Sequence, residues 1–199
     1  MADFYNAYKR TIKNEGSYSD VKGDRGGETY KGISRKFHFN FKGWETIDYM
    51  KGLPNFPKNL INDKELENDV FDFYKKNYWD RLKCSSIKND YQDVAEKIFD
   101  IAVNQGVKTA SKYFQESLNL LNNNEEYYKN LKVDGKIGNK TMLSFSAFCG
   151  TSYMNSRNVK KNAETFLTCL YGFQLNRYID IVKRDESQEK FFYGWLNRI

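Results

Sequence analysis

Phe4, Tyr8 and Ile12 stand four residues apart, which places them on one stripe of a helix over residues 3–14 with Asp3 as its N-cap. The same period returns through most of the chain. Leu66, Val70, Phe73 and Tyr74 mark a helix from Asp63 to Leu82, capped by Asn62 or Asp63. Val94, Ile98, Ile101 and Ala102 mark another that opens at Asn89 and Asp90, runs through Val103 and closes at Gly106. Helices are also predicted over 108–121, 140–148 with Asn139 as cap, 159–184 and 191–199. In the long one Phe166, Leu170, Phe173, Tyr178 and Ile181 are the apolar positions, and Trp195 lies in the last. A short helix over 45–51 precedes an irregular stretch bounded by Pro54 and Pro57. The pattern predicts a mainly α fold.

One stretch breaks the helical rhythm. From Glu15 to Gly32, polar side chains crowd around Gly16, Gly23, Gly26, Gly27 and Gly32, which suits a tight loop or short hairpin. Glu15 falls in the last turn of the first predicted helix, with Gly16 expected to close it in the left-handed conformation. A carboxylate there faces the negative end of the helix dipole, the setting of a group that gives up a proton. A turn through the glycines would fold Asp24 and Thr29 back toward it, leaving one acid, a second carboxylate and a hydroxyl able to hold a water. Glu28 is the alternative second carboxylate; if the segment is extended, Thr29 inward means Glu28 outward. Tyr18 and Tyr30 flank the loop as substrate-facing rings. Asn104, at the end of a later helix, either presents its amide to an acetamido group or caps locally.

The run Glu15, Gly16, Tyr18, Asp24, Gly26, Gly27, Thr29, Gly32, Ile33 resembles the start of glycoside hydrolase family 108, phage and bacterial N-acetylmuramidases with a lysozyme-like helical fold. Residues 74–80, 99–106, 133–138 and 194–198 are similar to later segments of that family, in the same order. Ser17, Arg25 and Glu28 depart from its pattern. The resemblance implies a peptidoglycan hydrolase that cuts the β-1,4 bond between N-acetylmuramic acid and N-acetylglucosamine, with Glu15 as acid, Asp24 ionised and Thr29 positioning water. A lytic transglycosylase acting on the same bond and a non-catalytic wall-binding module are the alternatives. The resemblance also implies a small glycine-rich hairpin at the site, a catalytic segment over 1–88 and a peptidoglycan-binding-like helical segment over 89–199. No Ser/Gly linker divides them, so packing as one globular unit is expected. Residues 133–141 resemble a peptidoglycan-module loop, whose simplest physical role is a rigid turn between helices.

Composition narrows the chemistry. A single histidine, His38, leaves no ligand set for a zinc amidase, and because it precedes all three cysteines it does not fit the Cys-before-His order of wall-cleaving cysteine peptidases. His38 is expected to be a helix-surface or packing residue, and Cys84, Cys149 and Cys169, wide apart, to be buried thiols. No metal or cofactor is expected. A net charge of +6 favours an anionic partner, which bacterial cell wall fits as well as nucleic acid does; with the resemblance, the expected partner is the glycan strands of peptidoglycan and not nucleic acid. No apolar run nears the ~20 residues that span a bilayer, and no secretory signal is visible. The expectation is a monomer without membrane insertion that reaches the wall by release or export.

Overall fold

The computed structural model describes residues 1–13, 15–21, 26–150 and 159–199. It divides into two compact units, one of Phe4–Asp80 and one of Met1–Asp3 with Arg81–Ile199. The boundary expected near residue 88 lies inside the second unit.

In the first unit, α1 (Phe4–Ile12) is followed by three two-residue strands, β1 (Tyr18–Ser19), β2 (Thr29–Tyr30) and β3 (Ile33–Ser34). They form an antiparallel sheet in the order β1-β2-β3, with Tyr18 opposite Tyr30 and Tyr30 opposite Ile33. Lys31 and Gly32 join β2 to β3 at φ 44° and 78°; two successive positive φ values make the tight hairpin turn that matches strand twist. Then come α2 (Gly43–Lys51) and α3 (Lys64–Tyr74). Asp63 caps α3 by accepting from Leu66 N at 2.7 Å, one of the two caps the sequence allows.

On α1, Phe4, Ala7, Tyr8 and Thr11 are buried while Ile12 is only half-buried. Phe4 packs on Phe71 and Trp79 with ring centroids 4.7 and 5.4 Å apart. The predicted helix to Leu82 stops as an α-helix at Tyr74 and widens into a π turn over Lys75–Trp79. That turn brings Trp79 fully into the core and stacks Tyr78 on Tyr74 at 5.4 Å. Of the aromatic run after the sheet, Phe41 is buried against Trp44 and Phe73, whereas Phe37 and Phe39 are exposed. His38 packs edge-on to Phe73 at 4.8 Å, and burial lowers its pKa.

The second unit comprises α4 (Gln92–Gln105), α5 (Val107–Leu120), α6 (Asn139–Gly150), α7 (Val159–Arg184) and α8 (Glu189–Leu196). Gly106, at φ 91°, turns α4 into α5. Phe114, Phe145 and Phe166 meet with centroids 5.0–5.3 Å apart and make its centre. Asn139 accepts from Lys83 Nζ at 2.7 Å, an interaction outside the expected cap. The loop before α6 is fastened to α5 by the buried Gln115, which accepts from Gly135 N and donates to Asp134 Oδ1 and the Lys136 carbonyl. Its polar groups are thus spent inside the fold, as a rigid turn requires. Met1–Asp3 belong here because Ala2 N donates to the Ile87 carbonyl at 2.8 Å, and Asp3 and Gln92 exchange a pair of hydrogen bonds. Cys84 is buried; Cys149 and Cys169 are half-buried rather than sealed in the core, with burial pushing the Cys149 thiol up to about 11.

Candidate active site

Glu15 lies beyond α1, held by its own N–H donating to the Ile12 carbonyl at 3.1 Å. Gly16 has no positive φ, so the expected left-handed closure of the helix is not how the chain leaves α1. The Glu15 carboxylate instead reaches the β2–β3 turn. A Cβ placed on Gly32 would stand 2.6 Å from Glu15 Oε2 and 2.7 Å from the Tyr74 hydroxyl. Both distances are shorter than real Cβ contacts, so a side chain at position 32 would have to push the ends of Glu15 and Tyr74 aside, in addition to the strain of its positive φ.

The turn that receives Glu15 is itself clamped to α3. The Tyr74 hydroxyl donates to the Lys31 carbonyl at 2.6 Å, and Lys31 Nζ pairs with Glu67. Glu67 also accepts from the Tyr8 hydroxyl at 2.9 Å, which ties α1 to the same point. A core tyrosine needs a partner for its hydroxyl. That rule is the signal by which Tyr74, read from sequence only as part of an apolar stripe, could have been connected to the site. Lys31 and Gly32 carry no comparable signal.

Cross-strand partners share a sheet face. Ser19, Thr29 and Ser34 are therefore on one face, and Tyr18, Tyr30 and Ile33 on the other. Thr29 Oγ1 donates to the Gly27 carbonyl at 3.1 Å, and Ser34 Oγ to that of Gly26. These bonds fix the chain where it re-enters the sheet. Asp24, the expected second carboxylate, lies outside the described residues.

Glu28, the alternative, is not turned out to solvent. Its carboxylate is 12% exposed and is met by Arg35 at 2.8 Å and Lys51 at 2.7 Å, with the Tyr18 hydroxyl donating at 3.0 Å. Burial pushes the Glu28 carboxyl up, but the hydrogen bonds from Lys51, Arg35 and Tyr18 outweigh it and hold the group below its ordinary value. Glu28 is thus a charged tie between the sheet and α2. Tyr18, whose ring meets Phe56 at 4.7 Å, belongs to this tie and stays partly exposed. Tyr30 is 2% exposed, and burial pushes its hydroxyl up to about 12; its ring is in the core and offers no face to a sugar, contrary to the expectation for it. Asn104 belongs to the second unit, where its Oδ1 accepts from the Tyr178 hydroxyl at 3.0 Å. Among the described residues no group of three or more His, Cys, Asp and Glu side chains could hold a metal ion.

A mainly helical fold that presents one carboxylate at a glycine hairpin is the architecture of a lysozyme-like glycoside hydrolase. Residues 8–106 match the family described as Glycosyl hydrolase 108, and residues 109–199 match the Predicted Peptidoglycan domain. The chain belongs to glycosyl hydrolase family 108 and carries a predicted peptidoglycan domain as its carboxy-terminal part; it is a peptidoglycan-directed glycoside hydrolase. The structure of SagA from Brucella abortus is similar in fold, with a TM-score of 0.57 at 20% identity over 98% of this chain and 88% of that one. No curated protein sequence matches significantly. No helix among the described residues is long and apolar enough to cross a membrane.

Proposed function

We infer that the chain is an N-acetylmuramidase of the bacteriolytic, endolysin kind, hydrolysing the β-1,4 bond between N-acetylmuramic acid and N-acetylglucosamine in glycan strands. Glu15 protonates the leaving glycosidic oxygen. Asp24, assigned from its place in the sequence motif, stays ionised opposite the developing oxocarbenium charge, and Thr29 orients the water. It acts as a monomer and without a cofactor. The observation that carries this reading is the place of the Glu15 carboxylate, whose Oε2 lies 2.6 Å from where a Cβ on Gly32 would stand. A backbone turn stripped of its side chain at that point, and clamped from α3, holds one acid in one place, which is what proton delivery to a bound substrate needs.

The test is lysis of purified peptidoglycan by wild type beside Glu15→Gln. Loss of a positioned general acid lowers the rate by ~10²–10⁴-fold, with the melting temperature unchanged. Mass spectrometry of the released fragments should show hydrated reducing ends. A Gln variant that clears walls at the wild-type rate would overturn the assignment, and anhydro ends would make the enzyme a transglycosylase.

A further inference from the structure

The proposed acid and the turn it reaches belong to different elements, and one side chain is bonded to both. Glu67, on α3, accepts from the Tyr8 hydroxyl at Oε1, 2.9 Å away, and pairs through Oε2 with Lys31 Nζ. Tyr8 is on α1, whose last residue, Ile12, takes the Glu15 N–H on its carbonyl. Lys31 directly precedes Gly32 in the β2–β3 turn. The Glu67 carboxylate thus spans the two halves of the site, and the proposed chemistry gives it no step.

An exposed ion pair between two flexible side chains is worth little, and the Glu67 side chain is 42% exposed. What surrounds this pair sets it apart. Tyr8 is buried, its ring 5.1 Å from Phe71 and 6.0 Å from Tyr74, so its hydroxyl has a fixed place and needs an acceptor there. Lys31 stands at φ 44°, a left-handed conformation that a residue with a side chain adopts at a cost and keeps where its surroundings over-determine it. It is pinned at three points: its N–H donates to the Ser17 carbonyl at 2.8 Å, its carbonyl accepts from the Tyr74 hydroxyl at 2.6 Å, and its ammonium meets Glu67. Two of those points come from α3. Glu67, Phe71 and Tyr74 follow one another at spacings of four and three, on one stripe of that helix, and Phe71 also packs on Phe4 of α1 at 4.7 Å. This stripe is a template against which both α1 and the turn are held.

We propose that Glu67 is a positioning residue of the hydrolase: by bonding α1 and the β2–β3 turn at once, it fixes where the Glu15 carboxylate stands relative to Gly32. The inference rests on the reading of Glu15 as the acid. Glu67 itself touches neither the glycan nor the proton that is transferred, and acts on the reaction through the place of Glu15. A catalytic group displaced by ~1 Å can cost ~10²-fold in rate, so a loosened tie is felt in turnover rather than in binding.

Steady-state kinetics of the full chain on soluble, uncross-linked glycan strands test it, at a temperature where circular dichroism shows every variant fully folded. Glu67→Gln keeps an oxygen for the Tyr8 hydroxyl and removes the charge that holds Lys31; Lys31→Met keeps the stem and removes the ammonium. Each should lower kcat about tenfold while KM stays within about twofold. The double variant should be no slower than the slower single one, because both changes break the same tie. Glu65→Gln, the same change on the same helix but at an exposed ion pair with Lys42, should leave kcat and KM as they are. Folded variants with the wild-type kcat, a loss confined to KM, single losses that multiply in the double variant, or an equal loss in Glu65→Gln overturn the proposal. Glu15→Gln in the same assay separates the two readings. If it is inactive while Glu67→Gln turns over at the wild-type rate, the positioning role alone falls; if it is active, the acid assignment falls and takes the positioning role with it.

Discussion

At the scale of single residues, Gly32 and Glu28 answer different questions. Gly32→Ala places a methyl where Glu15 and Tyr74 have their oxygens and demands a positive φ of a side-chain-bearing residue. We expect it to destabilise the fold by about 1–3 kcal/mol and to lower wall hydrolysis beyond what that loss of fold explains, read by thermal unfolding and turbidity clearing side by side. Glu28→Gln removes the charge that joins Arg35 and Lys51 but touches no proposed step. It should keep most neutral-pH activity while lowering the melting temperature. The pH dependence has a defined sign. Glu28 is held below its ordinary value, and Asp48, through its hydrogen bonds from Arg35, is held at about 2. Carboxylates depressed in the folded state stabilise it above their unfolded pKa values, about 4, and lose that contribution as pH falls toward the folded values. Wild type should therefore lose stability between about pH 4 and pH 2, and Glu28→Gln should lose less over that interval; an identical acid limb in both would refute the tie.

At the scale of elements, Gln115 shows how a loop without regular structure is made rigid. Gln115→Ala strands the Gly135 N–H and the Lys136 carbonyl, and a lost bond to a buried group costs about 1–3 kcal/mol. The expected result is a lower melting temperature and faster hydrogen exchange at Gly135, with α5 itself intact. What the sequence could show follows the same division. Helices were legible because their signal is local: Val70 and Tyr74 sit four apart whatever the tertiary fold does. The Asp63 cap was legible for the same reason. The π turn at Lys75–Trp79 was not, because it answers to the demand that Trp79 reach the core, and nothing in its own five residues announces that. Glu15 could be singled out by its position before Gly16. The residues around the point its carboxylate reaches, Gly32 and Tyr74, are distant in sequence, and no period connects them. Tyr30 misled for the opposite reason, since an aromatic beside a glycine loop reads the same whether its ring faces substrate or core.

At the scale of the whole molecule, the +6 charge predicts electrostatic steering to an anionic wall. Hydrolysis of whole walls should fall as ionic strength rises and the Debye length shrinks from ~30 Å at 0.01 M to ~8 Å at 0.15 M, while a short neutral chito-oligosaccharide, if accepted, changes little. Equal salt dependence on both would dismiss the steering. The chain's connectivity has a mechanical consequence as well. Ala2 is bonded to Ile87, and the Arg198 carbonyl accepts from Lys97 on α4, so both residues anchor in the same unit. If the molecule is stretched between residues 1 and 199, tension passes through those anchors and bypasses Phe4–Asp80 altogether. Only when Met1–Asp3 tear away from Ile87 and Gln92 does the load enter the 77 residues from 4 to 80, whose full extension adds roughly 260 Å at ~3.4 Å per residue. In a force spectrum the unit bearing Glu15 is thus shielded until the first rupture, and its unravelling should appear as a single long step after that event and never before it.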